Sequence, residues 1–335
     1  MKKLSFTPFI IAVIFLLVFG KTGSYGQASI SPYWLYDSHY LNDKYLINPA
    51  FAGYAYYPKV FVGTQREDVQ HPEAPSVHVA GFHSRLGIRK NYYSEYLSNY
   101  KTERSSIGGF LFADNNGPYH SVGIKLDYVY SVQLDHFNFN TLSFGLGGIF
   151  FSKSIKLGDK TSSWADNDPF IASIVGNKMN IPDVNAGLLF SHREKFYVGF
   201  SVTQLLENTD NDKSNLTVPP VYRNYYFLTG YRFAMNWLEI EPSVAVGHNM
   251  APKNNGQQGK FVDVNLELFL KPVVFTQSFR VDGYLTSQLL YRAKKLEMGV
   301  RAEWLSFNNS NARVTGVALM ISYTFVPTKF KRDDE

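Results

Sequence analysis

Between Pro182 and Asn208 the chain alternates apolar and polar side chains with a period of two, and it does so twice around a charged turn. In the first arm Val184, Ala186, Leu188 and Phe190 take one face, and Asn185, Gly187 and Ser191 take the other. After His192-Arg193-Glu194-Lys195, the residues Phe196, Val198, Phe200 and Val202 alternate with Tyr197, Gly199, Ser201 and Thr203. This is the pattern of a β-hairpin with one apolar face. Two architectures accept it. A soluble sandwich turns the apolar face to its core, whereas a transmembrane barrel turns it to lipid and lines a wet lumen with the small and polar face.

The same alternation recurs along most of the chain. Strands are predicted at about 58 to 66 and 76 to 86, and from Ser106 to Ala113 ahead of the turn Asp114-Asn115-Asn116-Gly117-Pro118. In the next strand Val122, Ile124, Leu126, Tyr128 and Tyr130 oppose Gly123, Lys125, Asp127 and Ser131. Leu142, Phe144, Leu146 and Phe150 oppose Ser143, Gly145 and Gly147. Beyond the hairpin come Tyr225 to Phe233, Leu238 to Val246, Val262 to Leu268, two runs that straddle Asp282-Gly283, Leu296 to Trp304, and Val317 to Phe325. The pattern predicts an all-β fold, a single antiparallel transmembrane β-barrel over residues 58–326 with about 14 strands. Twelve is the alternative count, because 271–293 is weakly patterned. Residues 27–57, rich in aromatics and turn residues, read as an irregular but ordered lead-in.

Charge placement and connection lengths favour the barrel over the sandwich. Asp127, Asp263, Glu267, Glu297 and Glu303 stand mid-strand opposite large apolar residues, and burying them without partners in a dry core would cost several kcal/mol each. A wet lumen that also holds Lys125 and Arg301 accepts them. From residue 134 onward long and short connections alternate, as in outer-membrane barrels with long external loops and short periplasmic turns. The connection 87–104 breaks this rule, a long segment on the short-turn side. Composition fits as well, since 27 Phe and 23 Tyr with slightly negative mean hydropathy suit a lipid-facing half averaged against a polar half. The start, Met1-Lys2-Lys3 followed by the apolar run Phe9 to Phe19 and the small residues before Gln27, reads as a signal peptide over residues 1–26. That run is shorter than a spanning helix needs. The absence of cysteine excludes disulfide scaffolds, thiolate metal sites and a lipid anchor on cysteine.

Candidate chemistry is sparse. No H-E-x-x-H or G-x-S-x-G motif is present. Asp166-Asn167-Asp168 and Asp210-Asn211-Asp212 lack the glycine and terminal glutamate of an EF-hand frame and read as solvated turns. His78 and His83 fall on opposite faces of one strand, which argues against a shared metal, and His120 and His136 are expected at an interface. The expectation is a non-enzyme with no catalytic, cofactor-binding or metal residues and with its partner-binding residues unassigned. The net charge of +5 reads as a solvated surface and not as a nucleic-acid site, because no basic stripe or recognition helix accompanies it.

Asn48-Pro49-Ala50-Phe51-Ala52-Gly53, preceded by His39-Tyr40-Leu41-Asn42, resembles the start of the PorP/SprF family of outer-membrane proteins tied to type IX secretion. Pro182-Asp183-Val184-Asn185-Ala186-Gly187, Lys195-Phe196-Tyr197-Val198-Gly199 and Leu205-Leu206-Glu207-Asn208 are similar to the same family. The chain departs from its pattern by continuing past Phe325 with a charged tail, residues 327–335, expected in the periplasm. The resemblance implies an integral outer-membrane barrel that helps secrete a partner protein exported by this machinery or holds it at the cell surface, in some relatives a gliding adhesin. Its implied partners are that secreted protein, other secretion components and outer-membrane lipid. A diffusion porin for small solutes is the alternative reading.

Overall fold

The computed structural model describes residues 39–55, 57–67, 74–86, 104–116, 119–135, 139–155, 178–193, 195–207, 221–235, 237–250, 260–281, 283–305 and 314–325. The predicted signal peptide, the first part of the lead-in and the charged tail lie outside these residues. The strands are β1 (Lys59–Glu67), β2 (Ser76–Arg85), β3 (Ser105–Asn116), β4 (Tyr119–Gln133), β5 (Asn140–Ile155), β6 (Lys178–His192), β7 (Phe196–Thr203) and β8 (Asn224–Tyr231). They continue as β9 (Phe233–Ala234), β10 (Glu239–Asn249), β11 (Lys260–Leu270), β12 (Val273–Arg280), β13 (Tyr284–Ala293), β14 (Leu296–Leu305) and β15 (Val314–Thr324). Each pairs antiparallel with its neighbours, β10 with β11 and β15 with β1, so the sheet closes on itself.

The two-residue β9 is the tail of β8. Gly230 pairs with Ser243 and Phe233 with Ile240, which is one continuous register interrupted at Tyr231 and Arg232. The Arg232 side chain turns to Glu241, with Nε at 2.9 Å from Oε2. The barrel therefore has 14 staves. The alternative count of twelve fails because β12 and β13 form a full hairpin of seven pairs, Val273↔Tyr291 to Phe279↔Leu285, around a turn in which Gly283 takes φ +106. Longer connections gather at one end (156–177, 204–223, 250–259) and short turns at the other (193–195, 235–238, 271–272, 294–295). The connection 86–104 is the exception at the short-turn end, as its position in the sequence implies.

Burial follows the alternation. Val122, Leu126 and Leu146 are 62%, 58% and 61% exposed toward the surroundings, while Lys125 between the first two is 0% exposed. Val184, Leu188, Phe190, Phe196, Val198 and Phe200 lie on the outer face as the hairpin pattern requires, and Asn185, Leu189, Tyr197 and Ser201 face inward. One expectation is overturned, for the lumen is not a simple wet channel. Inward-facing Lys125, Asp127, Lys153, Asp183, Glu241, Asp263 and Arg301 are all buried. For Lys125, Asp127, Glu241 and Asp263 the reason is steric, because the lead-in that precedes β1 folds back inside the barrel against them.

Candidate functional site

Residues His39 to Gly53 form three successive 3₁₀ turns, His39–Leu41, Lys44–Leu46 and Pro49–Phe51, within the lumen toward the short-turn end. The sequence builds them with local caps. The Asp43 carboxylate accepts from the Tyr45 N–H at 3.1 Å, and the Asn48 side-chain oxygen accepts from the Ala50 N–H at 2.9 Å, with Pro49 at the first helical position. Such caps satisfy N–H groups that a 3-residue turn leaves over. Gly53, at φ +75, closes the segment where an L side chain would be strained.

Apolar packing supplies the bulk of the attachment. Tyr40, Tyr45, Leu46, Ile47 and Phe51 are each at most 3% exposed. At about 2 kcal/mol per side chain, their burial is worth on the order of 10 kcal/mol relative to water, an upper bound because the unfolded segment also hides some surface. A segment held to that extent does not fluctuate freely out of the lumen.

Polar contacts fix its orientation against β1, β2, β4, β10 and β11. The Tyr40 hydroxyl donates to Asp263 at 2.8 Å and to Asn265 at 3.2 Å on β11. Asp43 meets Lys59 Nζ at 3.2 Å and His83 Nε2 at 3.0 Å. Lys44 reaches Glu241 at 3.2 Å and Glu267 at 3.5 Å, and its ammonium lies 5.2 Å from the centre of the Tyr197 ring. The Tyr45 hydroxyl donates to Asp127 at 2.5 Å, Asp127 pairs with Lys125 at 3.3 Å, and Lys125 stands over the Tyr45 and Phe110 rings. Arg85 Nε donates to the Gly53 carbonyl at 2.7 Å. Burial by itself would raise the Asp43 pKa, but Lys59 and His83 outweigh it and hold the carboxyl well below the ordinary carboxylate range.

The hairpin β6–β7 provides the seat. Asn48 Nδ2 donates to the carbonyls of Leu188 at 3.2 Å and Phe200 at 3.3 Å, and Ser201 Oγ donates to the Ile47 carbonyl at 2.7 Å. Those carbonyls can be reached from the lumen because Gly187 and Gly199 present no side chain there. A Cβ on Gly187 would stand 2.1 Å from Asn48 Oδ1, and one on Gly199 would stand 2.9 Å from Asn48 Nδ2. Gly145 and Gly108 leave room in the same way for the Ala50 backbone and the Tyr45 ring. The glycines that alternate with apolar residues in the sequence are thus the contact surface for Asn48-Pro49-Ala50.

At the other end of the hairpin, β6 outruns β7, since their pairing begins only at Ala186↔Val202. Val184 accepts from the Leu205 N–H instead, and the Asp183 carboxylate receives the N–H groups of Val184 and Leu206 at 2.6 and 3.0 Å. Pro182 stands on this edge, where a missing N–H costs nothing. Gln204 and Glu207 turn with φ of +59 and +46, and the Gln204 N–H donates to Asn185 Oδ1 at 3.0 Å. Asn224 donates to Gln204 and accepts from Asn249 Nδ2 at 2.7 Å, which extends an amide row across β8 and β10.

The histidines separate as the sequence predicts. His83 faces the lumen and the lead-in, whereas His78 faces outward and shares a 2.9 Å hydrogen bond with Thr64. His120 bonds Asn115 at 2.6 Å. His136 and the two Asp-Asn-Asp turns lie outside the described residues. Among the described residues no group of three or more His, Asp or Glu could hold a metal ion. The mid-strand acids have identifiable partners: Asp263 with Arg280 at 2.7 Å, Glu297 with Arg292 at 2.7 Å, and Glu303 with Gln65 at 3.2 Å. Sequence reasoning read the lead-in as ordered but not as the occupant of the lumen. The available signal was the pair of cap motifs, Asp43 and Asn48-Pro49, in a segment unusually aromatic for a loop.

A family model described as type IX secretion system membrane protein PorP/SprF matches residues 31–325. No curated protein matches the chain. Among solved structures the chain is similar to the P. putida toluene transporter TodX (9% identity, 84% of this chain and 93% of that one, TM-score 0.42). It is also similar to the CymD monoaromatic hydrocarbon channel (9%, 80% and 88%, 0.44) and to the KdgM porin (9%, 80% and 99%, 0.37).

Proposed function

Because the chain belongs to the PorP/SprF family of type IX secretion system membrane proteins, we propose that it is a plugged docking barrel. In this reading it sits in the outer membrane, engages a protein exported by the type IX machinery at its long-connection end, and either assists that protein's secretion or holds it at the cell surface. It has no turnover chemistry of its own. The observation that carries the proposal is the lumen filled by His39 to Gly53. A diffusion pore needs an open path, and here the path is taken by a segment whose apolar burial and polar contacts reach β1, β2, β4, β6, β7, β10 and β11. The amide row and the loops beyond it leave the far end as the surface for a protein partner.

Two measurements test this reading. Deleting the gene and comparing surface proteomes should remove one or a few exported proteins from the surface, and an unchanged surface would remove the basis for the secretion role. In planar bilayers the purified protein should pass no large steady current. A stable high conductance would favour the porin reading instead.

A further inference from the structure

The short-turn end of the barrel carries an arc of basic residues outside the lumen. From β6 round to β14, the turn before β7 presents Arg193 and Lys195, the turn after β11 presents Lys271, and the turn after β13 presents Lys294 and Lys295. Trp237, 74% exposed, stands in the turn between β9 and β10. Arg193, Lys195, Lys271 and Lys294 are exposed, and none of the five cations is ion-paired among the described residues. By sequence the only acid in these turns is Glu194.

Turn geometry does not explain this charge. Arg193 and Lys294 adopt φ of +51 and +55, the left-handed region where Gly or Asn is the inexpensive choice in a tight hairpin. Long cations occupy these positions against the local preference. Aromatic rings lie behind both turns, Tyr323 and Phe325 with centres 4.9 Å apart beside Lys294-Lys295 and a larger group beside Arg193. Tyr231 and Phe233 pack with ring centres 4.5 Å apart, Phe196 lies 6.4 Å from Tyr231, and the Arg193 guanidinium rests 3.6 Å from the centre of the Phe139 ring. An aromatic collar marks the boundary between hydrocarbon and headgroups, so cations just beyond it stand at the level of lipid phosphates.

We propose that this arc is a binding surface for the anionic headgroups of phospholipids in the periplasmic leaflet. The charge is complementary, and the arc follows the outer circumference where lipid must lie. Trp237 adds an interfacial anchor in the same stretch, so lipid is favoured here over an acidic protein, which would dock across the barrel end.

The test uses the full-length barrel in a zwitterionic detergent, with short-chain phosphatidylglycerol and phosphatidylcholine of identical acyl length as probes. Binding is read by native mass spectrometry and by the fluorescence shift that Trp237→Phe abolishes. Phosphatidylglycerol should bind more tightly than phosphatidylcholine, and added salt should erase the difference. The triple variant Arg193→Asn, Lys271→Asn, Lys294→Asn should weaken phosphatidylglycerol on the order of 100-fold, at about fivefold per cation near an anionic surface. The control triple Arg66→Asn, Lys178→Asn, Lys260→Asn removes exposed cations from the opposite end and should leave binding unchanged. Heat-modifiable gel mobility reports whether each variant assembles. Should the arc triple fail to assemble, Lys294→Asn alone, which suits the turn, should still cost about fivefold. Equal binding of the two lipids, or equal loss in the two triples, would overturn the proposal. An arc variant that keeps its lipid but loses a co-purifying periplasmic protein would assign the surface to that protein.

Discussion

A methyl group on Gly145 would stand 2.5 Å from the backbone nitrogen of Ala50 and 2.7 Å from the carbonyl carbon of Pro49. Backbone atoms cannot swing aside as a side-chain tip can, so Gly145→Ala should push the lead-in off its seat at a cost of about 1–3 kcal/mol. A lowered melting temperature together with increased protease access to residues 39–55 would register the change. The neighbouring ion pair gives a larger effect. Lys125 and Asp127 both have fully buried side chains, and Asp127→Ala leaves the ammonium without its partner, at a cost of about 3–5 kcal/mol. Denaturant titration of the barrel would measure it, and a loss under 1 kcal/mol would mean that the pair is hydrated. Asp43 sets a pH window. Its folded pKa lies below the unfolded value of about 3.9, so the stability it contributes is complete above that value and is lost as pH falls toward the folded pKa. Melting temperature should therefore fall more steeply below pH 4 in the native chain than in Asp43→Asn. These contacts were not legible in the sequence, where Gly145 and Gly187 show only as small residues on a polar face. Which atoms they admit depends on a segment far earlier in the chain.

At the scale of the element, the hairpin β6–β7 serves lipid on one face and the lead-in on the other. Leu188 and Phe200 are a directly paired outward couple, and a charge there must enter the apolar band. Leu188→Arg or Phe200→Arg should cost roughly 2–4 kcal/mol at mid-bilayer depth and reduce assembled barrel in heat-modifiability assays. Normal insertion of either variant would show that the outer face is misassigned. The alternation made this face legible, and narrowed the strand count to fourteen or twelve, because a period of two survives whether the barrel is open or filled. The ends of the elements were less legible. The alternation starts this strand at Pro182, yet it begins at Lys178 and runs through the proline, since Pro182 stands on an edge that no β7 residue pairs. Likewise Arg232, which interrupts β8, gives no sign in sequence that Glu241 draws it inward.

For the whole molecule, the consequence of the lead-in is that ring closure and lumen filling belong to one assembly. β1 follows directly from the segment it encloses, and its nine pairs with β15, from Lys59↔Thr324 to Glu67↔Gly316, complete the wall. Removing residues 39–55 should leave strands able to pair but a lumen lined by Glu241, Glu267 and Asp263 without Lys44 and Tyr40. That variant should conduct in planar bilayers, where the native chain does not. A deletion variant that assembles and remains closed would show that another part of the chain fills the lumen.

The sequence by itself determined the all-β class, the outward apolar face and the type IX family resemblance. Each of these is written in local periodicity or in short runs of residues. The tertiary structure alone decided what the inner face meets. Of the mid-strand charges that suggested a wet lumen, Asp127, Asp263 and Glu267 are met from inside the barrel by Tyr45, Tyr40 and Lys44, whereas Glu297 and Arg301 find Arg292 and Gln65 on the wall itself. A barrel's period is the same around water as around a folded segment, so only the path of residues 39–55 could distinguish a pore from a plug.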